Sequence, residues 1–232
     1  MQVLQLWRYP VKSMQGERLD ATDVDVHGLV GDRRWALLDR RSGLTLTARR
    51  QPELLHASAC LDGDDVHIVL PDGSTARDDG DLSDWLGHPV ALVEADESRR
   101  GLFETPVDPE REDGEWVRWQ GPAGTFHDST RTAVSIVSTA TLRDWDVRRF
   151  RPNVVVDGDG EDALVGTTVT VGTVGLDVVK QVDRCVVVTR PQPGLPRDLE
   201  PLRTINRERA TFLGVGALVA APGHLAVGDE LG

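Results

Sequence analysis

Leu164-Val-Gly166-Thr-Thr-Val-Thr-Val-Gly172-Thr-Val-Gly175-Leu-Asp-Val-Val179 is the stretch from which the fold class follows. Its β-branched runs are broken by Gly166, Gly172 and Gly175 so closely that only antiparallel meanders or barrel corners can join the strands. A doubly wound parallel sheet needs long helical crossovers, and none fits here. Working outward, similar runs occur at Val3–Trp7, Trp35–Leu38, Val66–Leu70, Val90–Val93, Val154–Val156 and Val186–Thr189, separated by Gly, Pro, Asp and Asn. Pro71-Asp-Gly-Ser74 reads as a hairpin turn. Helical signals are short: Asp81–Leu86 before Gly87, Thr139–Trp145 with Ser138 as N-cap, and Leu199–Arg209 with Pro201 in its first turn. The expected fold is mainly β with a few short helices (α+β), the helices plugging or flanking a barrel.

Composition narrows the function classes. The 232 residues carry 26 Lys+Arg against 38 Asp+Glu, a net charge of −12, so nucleic acid is excluded as a main partner for want of a basic face. At 25.4 kDa, about 70% of the open chain's surface can be buried, so a core forms without staples. Cys60 and Cys185 are too few for a disulfide scaffold or a four-thiolate iron–sulfur site, and neither belongs to a C-x-x-C pair. The first residues lack a basic segment followed by an apolar one, and no apolar run approaches the ~20 residues that span a bilayer. These features lead us to expect a cytoplasmic protein with no membrane partner. The run Val107-Asp-Pro-Glu-Arg-Glu-Asp-Gly-Glu115 is acidic with no apolar period, which places a domain boundary at 108–115 between segments 1–107 and 116–232.

Several motifs bear on chemistry. Gly158-Asp-Gly160-Glu-Asp-Ala163 has the spacing of a dinucleotide fingerprint, but its acids would repel a pyrophosphate and the residues after it read as strand. It is expected to be a solvated acidic turn. In so acidic a chain the informative exceptions are Tyr9-Pro-Val-Lys12-Ser13, Thr47-Ala-Arg49-Arg50 and Arg148-Arg-Phe-Arg-Pro-Asn153. Converging, they would form an anion pocket, with guanidinium forks, short hydroxyl donors and Asn153 reading a ring edge. Kept apart, they are solvated faces making weak ion pairs. Cys185 lies at the start of an apparent apolar strand beside Arg184, a cation that favours thiolate; the alternative is a small buried hydrophobe. The six histidines show no zinc-ligand spacing near either cysteine. Phe126-His127-Asp128-Ser129 clusters a base, an acid and a hydroxyl, but neighbours on a strand face opposite ways, and a hydrolase nucleophile elbow G-x-S-x-G is absent.

Taken in order, Tyr9-Pro-Val-Lys-Ser13, Gly31-Asp-Arg-Arg-Trp35, Thr47-Ala-Arg-Arg-Gln-Pro52, Phe126-His-Asp128, Arg149-Phe-Arg-Pro-Asn153, Arg184-Cys185 and Val227-Gly-Asp229 resemble the MOSC family, named for the C-terminal domain of molybdenum-cofactor sulfurase. The likeness is to the subgroup containing the mitochondrial amidoxime-reducing component and its bacterial relatives. It implies a MOSC β-barrel at about 116–232, preceded by the family's β-rich N-terminal domain. It also implies molybdopterin bearing molybdenum, with Cys185 as the metal's thiolate and Lys12, Ser13, Arg33, Arg49, Arg151 and Asn153 as cofactor contacts. A soft thiolate suits a sulfur-rich molybdenum centre. Asp183, two before the cysteine, stands where relatives often have Ser; an acid there would repel the pterin phosphate or shift that loop.

The implied chemistry is two-electron reduction of N-hydroxylated small molecules, the N–OH oxygen leaving as water with two protons. Asp128 is the expected proton donor and therefore a catalytic residue alongside Cys185, as a carboxylic acid in a dry pocket, with His127 as alternative. Some bacterial relatives carry a four-cysteine ferredoxin domain, which these 232 residues lack, so a separate ferredoxin or flavoprotein is the expected electron donor. The rival readings are a cofactor or sulfur carrier holding a persulfide on Cys185, and a barrel that binds no molybdenum. The carrier reading is weakened by the lack of a pyridoxal-phosphate desulfurase segment.

Overall fold

The computed structural model describes residues 1–108 and 113–232. Contacts divide the chain into two compact units. One comprises Met1–Arg8, Glu17–Asp32 and Ser129–Gly232, the other Tyr9–Gly16 and Arg33–Asp128.

The first unit is built on a seven-stranded sheet in the order Thr168–Val171, Val174–Asp183, Phe212–Ala221, Val134–Ser138, Val154–Val156, Val3–Arg8, Glu17–Leu19. Every pair is antiparallel except Val134–Ser138 with Val154–Val156. The sheet curls into a half-barrel. Bulges in the long pair of Val174–Asp183 with Phe212–Ala221 fall at Gly175/Leu176, Val178/Lys180 and Gln181/Asp183, each adding local bend and twist. Gly214 permits the curl: its φ is 76°, and a Cβ there would lie 2.6 Å from the Ile136 carbonyl oxygen. The concave face is filled by Val3, Leu6, Val134, Ile136, Val154, Val156, Leu176 and Val215 among others, the apolar residues whose runs announced the strands.

The second unit contains three antiparallel pieces: Trp35–Asp39 with Val90–Glu94, Leu102–Pro106 with Trp116–Gln120, and the sheet of Ser58–Asp62, Asp65–Val69 and Thr75–Ala76. Residues 108–115 join the two strands of the second piece, and Val107 N–H donates to Glu115 O at 2.9 Å. Residues 109–112 of that expected boundary lie outside the described residues. Helix Asp79–Leu86 starts on Asp78, whose side chain accepts from Gly80 and Asp81 N–H, and ends at left-handed Gly87.

Three local expectations are corrected. Val186–Thr189 is a 3-10 turn rather than a strand, closed by Val188 N–H on Cys185 O and by Thr189 Oγ1 on Val186 O. These contacts, with Arg149 donating to Val188 O, override the β preference of three valines. Helix Thr139–Leu142 begins at Ser138 as expected but stops before Trp145, because Arg143 turns left-handed at φ 58°. After Gly160 a 3-10 turn, Glu161–Leu164, follows, and Glu161 is 0% exposed, so the acidic turn is not solvated throughout. Among the described residues no helix is long and apolar enough to cross a membrane.

Candidate functional site

In the second unit the segment Tyr9–Gly16 runs beside the strand beginning at Trp35. Lys12 N–H donates to Trp35 O, and Arg33 N–H to Tyr9 O, both at 2.8 Å. These bonds bring Lys12, Ser13 and Arg33 onto one framework. The Lys12 side chain is 3% exposed; its Nζ donates to Phe126 O at 2.9 Å and Asp128 Oδ1 at 2.6 Å, and lies 4.6 Å from the Phe103 ring centroid. A buried ammonium is tolerable only with such partners. Ser13 Oγ accepts from Ala48 N–H at 2.9 Å, anchoring the turn that carries Arg49. Arg33 stacks on Tyr9 with its guanidinium carbon 4.9 Å from the ring centroid. Arg49 is half-buried, and among the described residues no hydrogen bond, ion pair or ring contact reaches its guanidinium.

Asp128 departs from expectation. Its side chain is 79% exposed and paired with Lys12, so it does not sit in a dry pocket. His127 is buried.

In the first unit the structure brings together the Val147–Asn153 turn and the segment around Cys185. Cys185 is a free, partly exposed thiol at the start of the Val186–Thr189 turn. Asp183 pairs with Lys180 at 2.9 Å. Burial pulls its carboxyl upward, but the hydrogen bond and charge of Lys180, helped by Arg184, outweigh this and hold it below the usual carboxylate range. The acid next to the cysteine segment therefore comes with its own counter-ion.

The arginines of Arg148–Arg151 have separate fates. Arg148 forks onto Asp146, with 3.0 Å from Nε to Oδ1 and 2.7 Å from Nη2 to Oδ2, a bond that lowers the Asp146 carboxyl. Arg149 is buried and donates to the carbonyls of Val188 (3.3 Å), Arg190 (3.4 Å) and Pro196 (2.8 Å). Arg184 donates from Nη1 to Phe150 O at 2.8 Å, and from Nε and Nη2 to Leu213 O at 3.0 and 2.7 Å. Of the cluster read as an anion pocket, Arg151 is the arginine whose backbone stands out, at φ 53°.

Asn153, expected as a cofactor contact, has its side chain engaged by protein. It is 1% exposed; its Oδ1 accepts from Ser135 N–H (3.1 Å) and Oγ (3.0 Å), and its Nδ2 donates to Trp7 O (3.3 Å) and Asp32 Oδ2 (2.9 Å). Two lone pairs and two N–H donors are all committed to protein, leaving no edge to read a ring.

Among the described residues, six non-glycine residues have left-handed backbone: Ser13, Arg33, Arg143, Arg151, Ala210 and Thr211. Arg143 and Ala210 end helices, and Thr211 follows Ala210. The other three are candidate anion contacts singled out from the sequence. Such backbone costs about 1–3 kcal/mol per residue and persists where the surrounding structure over-determines it, commonly at ligand-binding turns. Sequence reasoning missed this, as it missed buried Asp32; the only available signal was the Gly31-Asp32-Arg33-Arg34 turn itself. No three carboxylate, imidazole or thiolate side chains among the described residues come together to hold a metal ion.

Comparison with known proteins adds the following. The model of the MOSC N-terminal beta barrel domain matches residues 1–100, and that of the MOSC domain matches residues 123–232. The human mitochondrial amidoxime-reducing component 1 is 26% identical over 287 residues, covering 99% of this chain and 82% of that protein. Bovine mitochondrial amidoxime reducing component 2 is 24% identical, with 99% and 82% covered. A molybdenum cofactor sulfurase from Drosophila willistoni is 24% identical over 88% of this chain but only 29% of its own length. Among solved structures, the YUAD protein of Bacillus subtilis superposes with a TM-score of 0.51 at 16% identity, covering 99% of this chain and 93% of that one, a likeness of fold.

Proposed function

The chain belongs to the MOSC family, and we propose that it is a molybdenum-cofactor-binding oxidoreductase that reduces N-hydroxylated or other N-oxygenated small molecules with electrons from a separate redox protein. The observation that carries this reading is the strained backbone at Ser13, Arg33 and Arg151, three positions that the resemblance implies as cofactor contacts. The donor set fits the group: Cys185 is a partly exposed soft thiol, Arg49 is a permanent cation with no protein partner among the described residues, and Lys12 is a buried amine held by hydrogen bonds. Cys185 would hold the metal; Lys12, Ser13, Arg33, Arg49 and Arg151 would hold the pterin's phosphate and polar edges. When bound, the cofactor supplies two-electron chemistry at an N–OH oxygen. The chain's own task is to bind that anion and orient the thiol. Lys12 keeps its ammonium aimed by Phe126 O and Asp128, so Asp128 serves by fixing Lys12.

Electrons must come from outside these residues, because two cysteines cannot form a four-thiolate iron–sulfur site and no flavin or dinucleotide motif survives inspection. A ferredoxin or flavoprotein with a basic face would be steered by acidic stretches 108–115 and 157–162. Glu161 is buried and Asp162 is bonded to Arg209, which leaves Asp157 and Asp159 as the second stretch's steering charges. The test uses protein made in a molybdopterin-competent host. NADH alone should give no reduction of an N-hydroxylated amidine. Added ferredoxin or flavoprotein reductase should give turnover that falls as salt rises from about 0.05 to 0.5 M. Robust turnover with NADH alone refutes the partner requirement, and the absence of both molybdenum and turnover refutes the reading. The likeness to a sulfurase favours one other reading, a persulfide carried on Cys185. Cyanide would then release thiocyanate from wild type but not from Cys185→Ser.

A further inference from the structure

We propose that Arg149 and Arg184 are positioning residues, a reciprocal clamp that holds the Cys185 segment against the Phe150–Arg151 turn before any cofactor arrives. The proposal rests on the reading of Cys185 as the metal's thiolate. Each fork starts on one segment and ends on the other. Arg149, from the turn Val147–Arg149, reaches Val188 O, Arg190 O and Pro196 O; Arg184, adjacent to the cysteine, reaches back to Phe150 O and across to Leu213 O. A guanidinium can do this because its N–H donors lie in one rigid plane; an ammonium is a single point of attachment.

The apolar side agrees. The Phe150, Val188 and Leu213 side chains pack together in one buried cluster with Val137, Val155 and Ile205. The same three residues thus give their carbonyls to the forks and their side chains to the core, which fixes both segments from two sides. No carboxylate among the described residues forms a salt bridge with Arg149, although it is buried. Keeping a charge out of water on neutral acceptors is an expensive way to fill volume. What it provides, and a leucine would not, is direction. Arg184 is likewise not a bare cation waiting beside the thiol, since Nε, Nη1 and Nη2 are each engaged by a carbonyl. Its N–H donates to Thr211 O at 2.8 Å, in the left-handed pair Ala210-Thr211, so the residue before the cysteine is held by backbone and side chain together.

The test reads the thiol itself, without cofactor. In a Cys60→Ser chain, the rate of Cys185 alkylation by iodoacetamide is measured against pH for Arg149→Lys, Arg184→Lys and the exposed control Arg41→Lys, with thermal midpoints followed in parallel. The Lys variants keep the charge and lose the fork. Each should raise the high-pH plateau rate at least threefold while leaving the pH midpoint of the profile where it was, and the control should change neither. Unchanged plateaus overturn the clamp. A shifted pH midpoint with an unchanged plateau also overturns it, because the arginines would then act on the thiolate's charge. If the variants do not fold, hydrogen exchange on the wild-type chain decides. The Arg151, Arg184 and Val188 amides, bonded to Val147 O, Thr211 O and Cys185 O, should open with one common free energy, and unrelated openings refute the coupling. In protein from a molybdopterin-competent host, sulfur-to-molybdenum absorption should shift in both Lys variants. If the wild type takes up no molybdenum, the cofactor reading falls while the alkylation result still decides the clamp.

Discussion

Replacing Asn153 with alanine separates a structural amide from a cofactor contact. Its side chain makes three bonds to neutral groups, Ser135 N–H, Ser135 Oγ and Trp7 O, and one to the Asp32 carboxylate. Neutral bonds contribute about 1 kcal/mol each and a charged one about 1.5–3 kcal/mol. Water entering the space left by the carboxamide recovers part of the sum, so the expected loss is about 3–4 kcal/mol. Asn153→Asp should be worse, because it sets a second carboxylate against Asp32 at the present 2.9 Å contact. The assay is urea unfolding of cofactor-free protein, where the loss appears as a lower midpoint at unchanged slope. A variant within 1 kcal/mol of wild type (~1 kcal/mol is the size of a single such bond) that purifies with less molybdopterin would refute the argument and restore Asn153 as a cofactor contact.

Cys185→Ser should abolish reductive turnover and the sulfur-to-molybdenum absorption, because a hydroxyl is a poor ligand for a soft centre, while Cys60→Ser leaves both intact; equal activity of wild type and Cys185→Ser would contradict this. For Asp128→Asn, molybdenum content and turnover should fall in proportion, as expected of a residue that orients Lys12; a loss of turnover with full molybdenum content would instead make Asp128 the proton donor. Asp81, bonded by Arg77, is lowered to about 2, and a depressed carboxyl contributes stability that is present above its unfolded value near 3.8 and lost as pH falls through about 2. Urea midpoints taken between about pH 5 and 2 should therefore fall less steeply for Asp81→Asn than for wild type; parallel curves would count against the pair's contribution.

Local pattern determined much of this protein. Val154–Val156 is a strand with the expected ends, Ser138 caps its helix and Gly87 ends another, because periodicity, capping and glycine's left-handed freedom act within a few residues of chain. The order of short motifs likewise sufficed for the family, since each is contiguous. What only the tertiary structure decided concerns partners distant in sequence. Val186–Thr189 has the composition of a strand, yet Val188 O receives Arg149 from 39 residues away. Asn153 looked like a free ring-reading edge until Asp32 and Trp7, 121 and 146 residues away, took its donors. In the same way Arg149, Arg151 and Arg184 are one residue type in a string of letters, but a guanidinium binds whatever carbonyl, carboxylate or anion the fold brings within about 3 Å. That choice is set by the curl of the sheet and the strained turns along it.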